Sequence, residues 1–195
     1  MKSAFDNMND TKRKVENWID GKISKSTSDK YEIVTDSATG EQCASVIMSS
    51  EKDVEAAIQS SRKALEKWSQ TPVLRRARVM FKLKELIERD KQKIAKIITQ
   101  EHGKVLDDAE GSIQRGLEVV EFACGIPHLI KGEFNDQVGT GVDSFSMRQP
   151  LGICVGITPF NFPAMVPLWM FPLAIACGNT FIPVSYTHLR AHETS

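Results

Sequence analysis

One stretch of the chain constrains the fold more than any other, because residues 149–189 contain no aspartate, glutamate, lysine or arginine. A run of this length could cross a bilayer as a helix. Prolines and glycines interrupt it at short intervals, however, and two asparagine amides would have to enter hydrocarbon. These residues are Pro159, Pro163, Pro167, Pro172, Gly152, Gly156, Gly178, Asn161 and Asn179. The pattern therefore predicts a buried strand, a turn and a core helix rather than a membrane span.

The start of this stretch is typical of an inner strand of a parallel sheet. Residues 150–157 are apolar without alternation, as expected where both faces of a strand are covered. Residues 158–163 are turn-forming, and residues 164–177 suit an apolar helix that ends at Gly178. Residues 180–182 suit the next strand. Together these segments predict a βαβ unit and an α/β fold.

The chain before this stretch begins with polar and β-type segments. Residues 1–17 form a polar extension, and residues 18–47 contain short β-type runs around an Ala-Thr-Gly turn signal, which predicts a hairpin. Ser50 followed by Asp53 is typical of a helix N-terminus. We therefore expect a helix over residues 51–69.

Three more helices and a second hairpin are predicted next. The first helix has Pro72 at its first helical position, the second is capped by Asp90 and stops near Gly103, and the third covers about residues 106–123. Alternation of apolar and polar residues from Val138 to Gln149 then predicts an exposed hairpin that is available for subunit contacts.

Composition excludes several classes of partner. Lysine and arginine number 25 and aspartate and glutamate also 25, so no global charge favours nucleic acid or an anionic membrane. The cysteines lack the Cys-x-x-Cys or Cys/His spacing of a metal site, which predicts buried free thiols and no metal. They are Cys43, Cys124, Cys154 and Cys177. The first residues contain no apolar run of signal-peptide length, which predicts a cytoplasmic protein.

The turn after the apolar strand is where the residues predict chemistry. In a βαβ unit, backbone N–H groups and a helix N-terminus converge at the carboxyl end of the first strand, where ligands bind. Asn161 lies in that turn. No Gly-x-Gly-x-x-Gly fingerprint follows the strand. The residues alone therefore predict only a nucleotide site, and they leave Asn161 open to a plain turn-forming and helix-capping role.

Several segments resemble the aldehyde dehydrogenase superfamily. Residues 149–163 read Gln-Pro-Leu-Gly-Ile-Cys-Val-Gly-Ile-Thr-Pro-Phe-Asn-Phe-Pro, similar to the family motif that ends in Pro, Trp or Phe, Asn, Phe or Tyr, and Pro. Residues 36–41, Asp-Ser-Ala-Thr-Gly-Glu, resemble its early turn. Residues 99–104, Thr-Gln-Glu-His-Gly-Lys, resemble its Thr-x-Glu-x-Gly-Lys signature. The resemblance covers about residues 17–182.

One branch of the superfamily is especially similar. Phe160, where most members have tryptophan, and residues 164–172 resemble the methylmalonate-semialdehyde dehydrogenase branch, which is CoA-acylating. The resemblance implies NAD-dependent oxidation of methylmalonate or malonate semialdehyde to an acyl-CoA through a cysteine thioester. It also implies NAD as cofactor and CoA as co-substrate.

The resemblance also assigns roles to residues. When a cysteine thiolate adds to an aldehyde, the alkoxide needs a fixed donor before hydride leaves for NAD. The family pattern implies that Asn161 is this donor and that Ile157, Thr158 and Phe160 line the nicotinamide-ribose region. This role requires that the Asn161 side chain neither lie out in solvent nor turn away from the open edge of the sheet, and either result would end the case for it. The hairpin over 132–148 is similar to the element that pairs subunits of a homo-oligomer.

The implied domain is a Rossmann-like parallel sheet that is incomplete in this chain, with N-terminal helices and an oligomerisation hairpin. Residues 18–131 would form the N-terminal part of the NAD-binding domain and residues 149–182 its first βαβ unit. Residues 183–195 depart from the family, since they lack the lysine and glutamate of its Leu-Lys-Pro-Ser-Glu segment. The family's nucleophilic cysteine lies beyond this length, so we expect an inactive fragment.

Other functions remain open at this point. The chain could be a non-catalytic nucleotide-binding or oligomerisation module, or an aldehyde dehydrogenase of another substrate class. With only one βαβ unit, we also expect one side of the sheet and the apolar segment 162–177 to lack partners, which would promote aggregation.

Overall fold

A computed structural model describes residues 13–185 of the chain. Five short strands come first, and the first of them, β1, pairs with β5, so the prediction that residues 1–17 are only a polar extension was wrong for its last residues. A three-stranded sheet has the order β1-β5-β4, in which β1 is parallel and β4 antiparallel to β5, and β2 and β3 form a separate hairpin. Their bounds are β1 Lys14–Val15, β2 Asn17–Ile19, β3 Lys22–Ser24, β4 Tyr31–Thr35 and β5 Gln42–Ile47.

The turn between β4 and β5 confirms the hairpin predicted for residues 18–47. The Asp36 carboxylate accepts hydrogen bonds from the backbone N–H groups of Ala38 (2.8 Å) and Thr39 (3.2 Å). Gly40 follows with a φ of 74°, a conformation that suits glycine. The same turn docks on a later helix, because the Ser37 hydroxyl donates to the carbonyl oxygen of Glu101 at 2.5 Å.

Helix α1, Glu51–Trp68, begins and ends where the sequence predicts. The Asp53 carboxylate accepts a hydrogen bond from the backbone N–H of Ser50 at 2.7 Å and another from the Ser50 hydroxyl at 2.8 Å. It also accepts from the Ser26 hydroxyl at 2.5 Å. The first turn of α1 is thereby tied to the loop after β3.

Helix α2 runs without a break over Val73–His102, so the prediction of two separate helices was wrong. Asp90 does not cap a new helix, because its carboxylate accepts hydrogen bonds from Arg89 (2.5 Å) and Lys93 (3.3 Å) on the same helix. Pro72 precedes the first helical residue rather than occupying it. The predicted end is confirmed, since Gly103 stops the helix with a φ of 85°.

The main core lies where α2, α3 and α5 meet. Helix α3 covers Leu106–Cys124, a one-turn helix α4 covers Ile126–Leu129, and α5 covers Met165–Ala176. Helix α3 packs against both α2 and α5. The shared core consists mainly of Ile87, Ile98, Ile113, Leu117, Val120 and Leu168. The apolar segment 162–177 therefore has partners, contrary to expectation, because α5 buries one side against α3.

The predicted βαβ unit is present. Strand β8, Ile153–Thr158, pairs in parallel with β9, Thr180–Ser185, and α5 makes the connection between them. Within the described part of the chain this sheet has two strands. Val155 and Ile157 on the face of β8 away from α5 are 58% and 55% exposed. The prediction that both faces of β8 are covered was therefore wrong for this chain, whereas the expectation that one side of the sheet lacks partners agrees with this exposure.

The predicted second hairpin consists of β6, Phe134–Gly139, and β7, Val142–Phe145. The two strands are antiparallel, and every residue in them is exposed. Among residues 13–185, no helix combines the length and the apolar character needed to cross a membrane.

Candidate functional site

The candidate site lies at the carboxyl edge of the β8–β9 sheet. The last residues of the two strands, Thr158 and Ser185, are register partners, so both strands end at the same level. Thr158 is buried, and its hydroxyl donates a hydrogen bond to the Val184 carbonyl oxygen at 3.2 Å. Ligands of open α/β sheets bind at this type of edge.

Asn161 lies in the turn that joins β8 to α5, as predicted. Its side chain is exposed, and it has no side-chain hydrogen-bond partner among residues 13–185. The described residues therefore do not build a closed pocket around the amide, and by themselves they do not meet the condition stated above for its donor role. Ile157 and Phe160, on either side of Thr158, are also exposed, Phe160 at 39%. The edge consequently presents two apolar side chains and one amide to solvent.

A lysine with a largely buried side chain packs against the turn. Lys104, just after α2, places its Nζ 4.4 Å from the centroid of the Phe162 ring. The same ammonium pairs with the Asp108 carboxylate of α3 at 3.1 Å. Phe162 immediately follows Asn161, so Lys104 contacts the turn that carries the candidate donor. Sequence reasoning missed this contact, because no spacing pattern connects residues so far apart in the chain.

At the other edge of the sheet, where β8 and β9 begin, three side chains donate hydrogen bonds to the last carbonyl oxygens of α5. The Trp68 indole N–H donates to the Ile175 carbonyl at 2.9 Å, and the buried Arg76 donates to the Ala176 carbonyl at 2.9 Å. The Asn179 amide N–H donates to the Ala174 carbonyl at 3.1 Å, while its Oδ1 accepts from the Gly152 backbone N–H at 2.9 Å. Asn179 thereby fixes the start of β8 against the start of β9.

The cysteines do not offer an activated nucleophile. All four thiols are free and at least partly buried. Burial is the main cause that raises the pKa of the Cys43, Cys124 and Cys177 thiols, so these thiols stay protonated at neutral pH. Within residues 13–185 no cluster of three potential metal ligands occurs.

An open groove of about 1150 Å³ lies between α1 and the face of the β8–β9 sheet that points away from α5. Val54 and Ile58 of α1 line one wall, and Val155 and Ile182 line the other. Asn161 and Phe160 are not among its lining residues. The groove is therefore separate from the turn that carries the candidate donor.

Comparison with known proteins agrees with these features. The family model described as "Aldehyde dehydrogenase family" matches residues 23–187. Malonate-semialdehyde dehydrogenase 2 of Geobacillus thermodenitrificans is 49% identical over 188 residues, which are 95% of this chain and 39% of the relative. Malonate-semialdehyde dehydrogenase 3 of Geobacillus kaustophilus is 48% identical over 90% of this chain and 36% of its own length.

Solved structures show the same relationship. The crystal structure of methylmalonate-semialdehyde dehydrogenase from Oceanimonas doudoroffii superposes with a TM-score of 0.87 at 47% identity, over 89% of this chain and 36% of that one. A Sinorhizobium meliloti structure described as a methylmalonate-semialdehyde dehydrogenase complexed with NAD gives 0.88 at 46% identity, over 90% and 36%. The chain thus spans between a third and two fifths of the length of these relatives. Its sequence motifs, its βαβ unit and the family match together show that the chain belongs to the aldehyde dehydrogenase family.

Proposed function

We propose that these residues are the N-terminal portion of an NAD-dependent, CoA-acylating dehydrogenase of methylmalonate or malonate semialdehyde. The observation that carries the proposal is the β8–turn–α5–β9 unit with Asn161 in its turn, in a chain nearly half identical to enzymes named for these semialdehydes. In the complete enzyme the reaction would yield an acyl-CoA through a cysteine thioester.

Asn161 would donate its amide N–H to the oxygen that becomes negative when a thiolate adds to the aldehyde. An amide suits this task because it donates without changing its protonation state. Its exposure in the described chain does not support this role, which requires the remainder of the enzyme to supply the other walls of the pocket. The relatives are long enough to supply them, because this chain spans 36% to 39% of their length.

The carboxyl edge fits one end of the proposed cofactor. Ile157 and Phe160 offer exposed apolar surface beside the paired ends of β8 and β9, which suits a nicotinamide-ribose group, and Thr158 fixes the backbone there. NAD, when bound, would accept the hydride. The adenosine end of NAD fits less well. The family has a lysine there for the adenosine ribose, whereas this chain has no amine at Pro183, Val184 or Ser185.

The nucleophile and the CoA contacts would lie outside this chain. Burial keeps three of the four thiols here protonated, and Cys154 lies on β8 rather than at the open edge. We therefore expect the 195-residue chain to be inactive by itself.

The β6–β7 hairpin supports a proposed homo-oligomer. Phe134, Val138, Val142 and Phe145 on it are all more than half exposed. An isolated two-stranded ribbon is marginally stable in water, so a second subunit pairing with it would stabilise it.

The test of the proposal is replacement of Asn161 by alanine in the complete enzyme. We expect kcat to fall by roughly 10²–10³-fold, as for loss of one oxyanion donor, while the Kd for NAD changes little. Replacement of Gln70, an exposed amide after α1, by alanine is the matched control and should leave both constants unchanged. An unchanged kcat for Asn161→Ala would remove Asn161 from the oxyanion role.

The missing lysine favours one alternative, a non-catalytic nucleotide-binding or oligomerisation module. Calorimetry with NAD separates the two functions. Tight binding by the 195-residue chain would favour the module, whereas weak or absent binding agrees with an incomplete dehydrogenase.

A further inference from the structure

Lys104 differs from the paired surface lysines of the chain in its burial. Its side chain is 8% exposed, whereas those of Lys82 and Lys84, which also pair with carboxylates, are 60% and 27% exposed. Removing an ammonium from water is costly unless specific partners replace the water. The partners of Lys104 must therefore compensate for most of its lost hydration.

Two partners surround the Lys104 ammonium. Asp108 lies four residues ahead, and its carboxylate is 3.1 Å from Nζ. The Phe162 ring centroid is 4.4 Å from Nζ, within the range of a cation–π contact, which is stronger when the cation is desolvated. His102 lies in the same cluster, where burial and the Lys104 charge lower the pKa of its imidazole, so it adds no second positive charge at neutral pH.

Phe162 connects this cluster to the candidate site. It directly follows Asn161, and its carbonyl oxygen accepts a hydrogen bond from the Val166 backbone N–H at 3.2 Å, in the first turn of α5. Because the Lys104 ammonium holds the Phe162 ring, it restricts the backbone of Phe162. This restriction also limits the direction in which the Asn161 side chain leaves the turn. The end of α2 is thereby coupled to the position of Asn161.

We propose that Lys104 is a positioning residue that holds the Asn161 amide in its working direction through the Phe162 ring. The inference rests on the proposed function, because the direction of the Asn161 amide matters only if this amide donates to the reacting oxygen. Lys104 is the last residue of the Thr-Gln-Glu-His-Gly-Lys segment, and the sequence of that segment does not predict this role.

The test compares Lys104→Met, Lys104→Arg and Asn161→Ala in the complete enzyme. Lys104→Met keeps the length of the side chain but removes the charge, and we expect kcat to fall about tenfold or more with the Kd for NAD unchanged, since small misplacements of a reacting group are costly. Lys104→Arg keeps a cation over the ring and should restore most of kcat. Lys84→Met is the control, because it breaks an ion pair with Glu88 and should lower only the melting temperature.

A second variant, on the other side of the contact, keeps the proposal testable if Lys104→Met does not fold. Phe162→Leu removes the ring but keeps an apolar side chain, and it should lower kcat by a similar factor. Combining it with Lys104→Met should add little, because both changes remove the same contact.

The outcomes separate the two claims. Full kcat for Lys104→Met or for Phe162→Leu, with Asn161→Ala impaired, overturns the positioning role and leaves the proposed function intact. The positioning role is also overturned if Lys104→Met lowers kcat and Lys104→Arg lowers it equally, because the positive charge is then not what kcat depends on. Full kcat for Asn161→Ala overturns the proposed function itself.

Discussion

Gly116 shows how closely two helices approach in the core below the candidate site. A Cβ atom built on it would lie 2.7 Å from Cδ1 and 3.0 Å from Cβ of Leu168. Leu168 belongs to α5, the helix that follows the Asn161 turn. The absence of a side chain at Gly116 therefore lets α5 pack directly on α3.

We predict that Gly116→Ala destabilises the fold although alanine is the better helix former. Overpacking against Leu168 should lower the free energy of unfolding by about 1–3 kcal/mol. Gly111→Ala on the same helix is the matched control, because a Cβ there would meet only the Arg115 guanidinium at 4.0 Å. It should raise the free energy of unfolding by about 0.5–1 kcal/mol. Urea unfolding of dilute protein measures both, and equal signs for the two variants would contradict the packing argument.

Single residues also show what the sequence could and could not predict. Asn161 lies in the predicted turn because proline, asparagine and an adjoining apolar strand are local signals. The contact of Lys104 with Phe162 depends on how α2 and α5 pack, and no local pattern encodes it. The exposure of Asn161 fails the condition set for its role, and the sequence could not predict that exposure, because burial depends on which other segments are present.

At the scale of elements, two acidic residues with similar sequence signals behaved differently. Asp53 stabilises the start of α1, whereas Asp90 lies inside α2 and pairs with Arg89 and Lys93. Good helix formers continue on both sides of Asp90 with no glycine or proline to stop the helix. The capping signal at Asp90 was therefore outweighed by the propensity of its neighbours.

The start of α1 should make stability depend on pH. Hydrogen bonds from Ser26 and Ser50 lower the pKa of Asp53 to about 2 from 3.8. Because the folded pKa is the lower one, this stabilisation is complete above pH 3.8 and is lost as the pH falls toward 2. We predict that Asp53→Asn lowers the free energy of unfolding by about 1–2 kcal/mol at neutral pH and by much less near pH 2.

Asp107→Asn is the control for this experiment. Asp107 also lies in the first turn of a helix, α3, but it is exposed. Its replacement should cost only a few tenths of a kcal/mol, about the size of a helix-dipole effect. Urea unfolding across the acidic range would contradict the account if the two variants lost equal stability at neutral pH.

At the scale of the whole molecule, the chain has one well-packed side and one open side. Helix α5 covers one face of the β8–β9 sheet and packs in turn on α2 and α3, while Val155 and Ile157 on the other face are exposed. The groove beside α1 opens on this uncovered face. The apolar pattern of residues 150–182 predicted the βαβ unit correctly. The open side of the sheet was also expected, because the chain contains only one such unit.

We predict that the 195-residue chain self-associates through this open face. Apolar patches of this kind promote association. Replacing Val155 and Ile157 by threonine keeps β-branched side chains on the strand and should reduce the association. Sedimentation at several protein concentrations measures it. A monomeric chain that melts cooperatively at every concentration would contradict the prediction.

Single-turnover NADH formation by the complete enzyme tests the role proposed for the Asn161 amide N–H, which is to stabilise the oxygen that becomes negative. The comparison is between Asn161→Ala and Asn161→Asp, since aspartate has the size of asparagine but donates no hydrogen bond when ionised. The account predicts that both variants form NADH roughly 10²–10³-fold more slowly than the unaltered enzyme, with aspartate no better than alanine. An Asn161→Asp enzyme that forms NADH at the unaltered rate would contradict it.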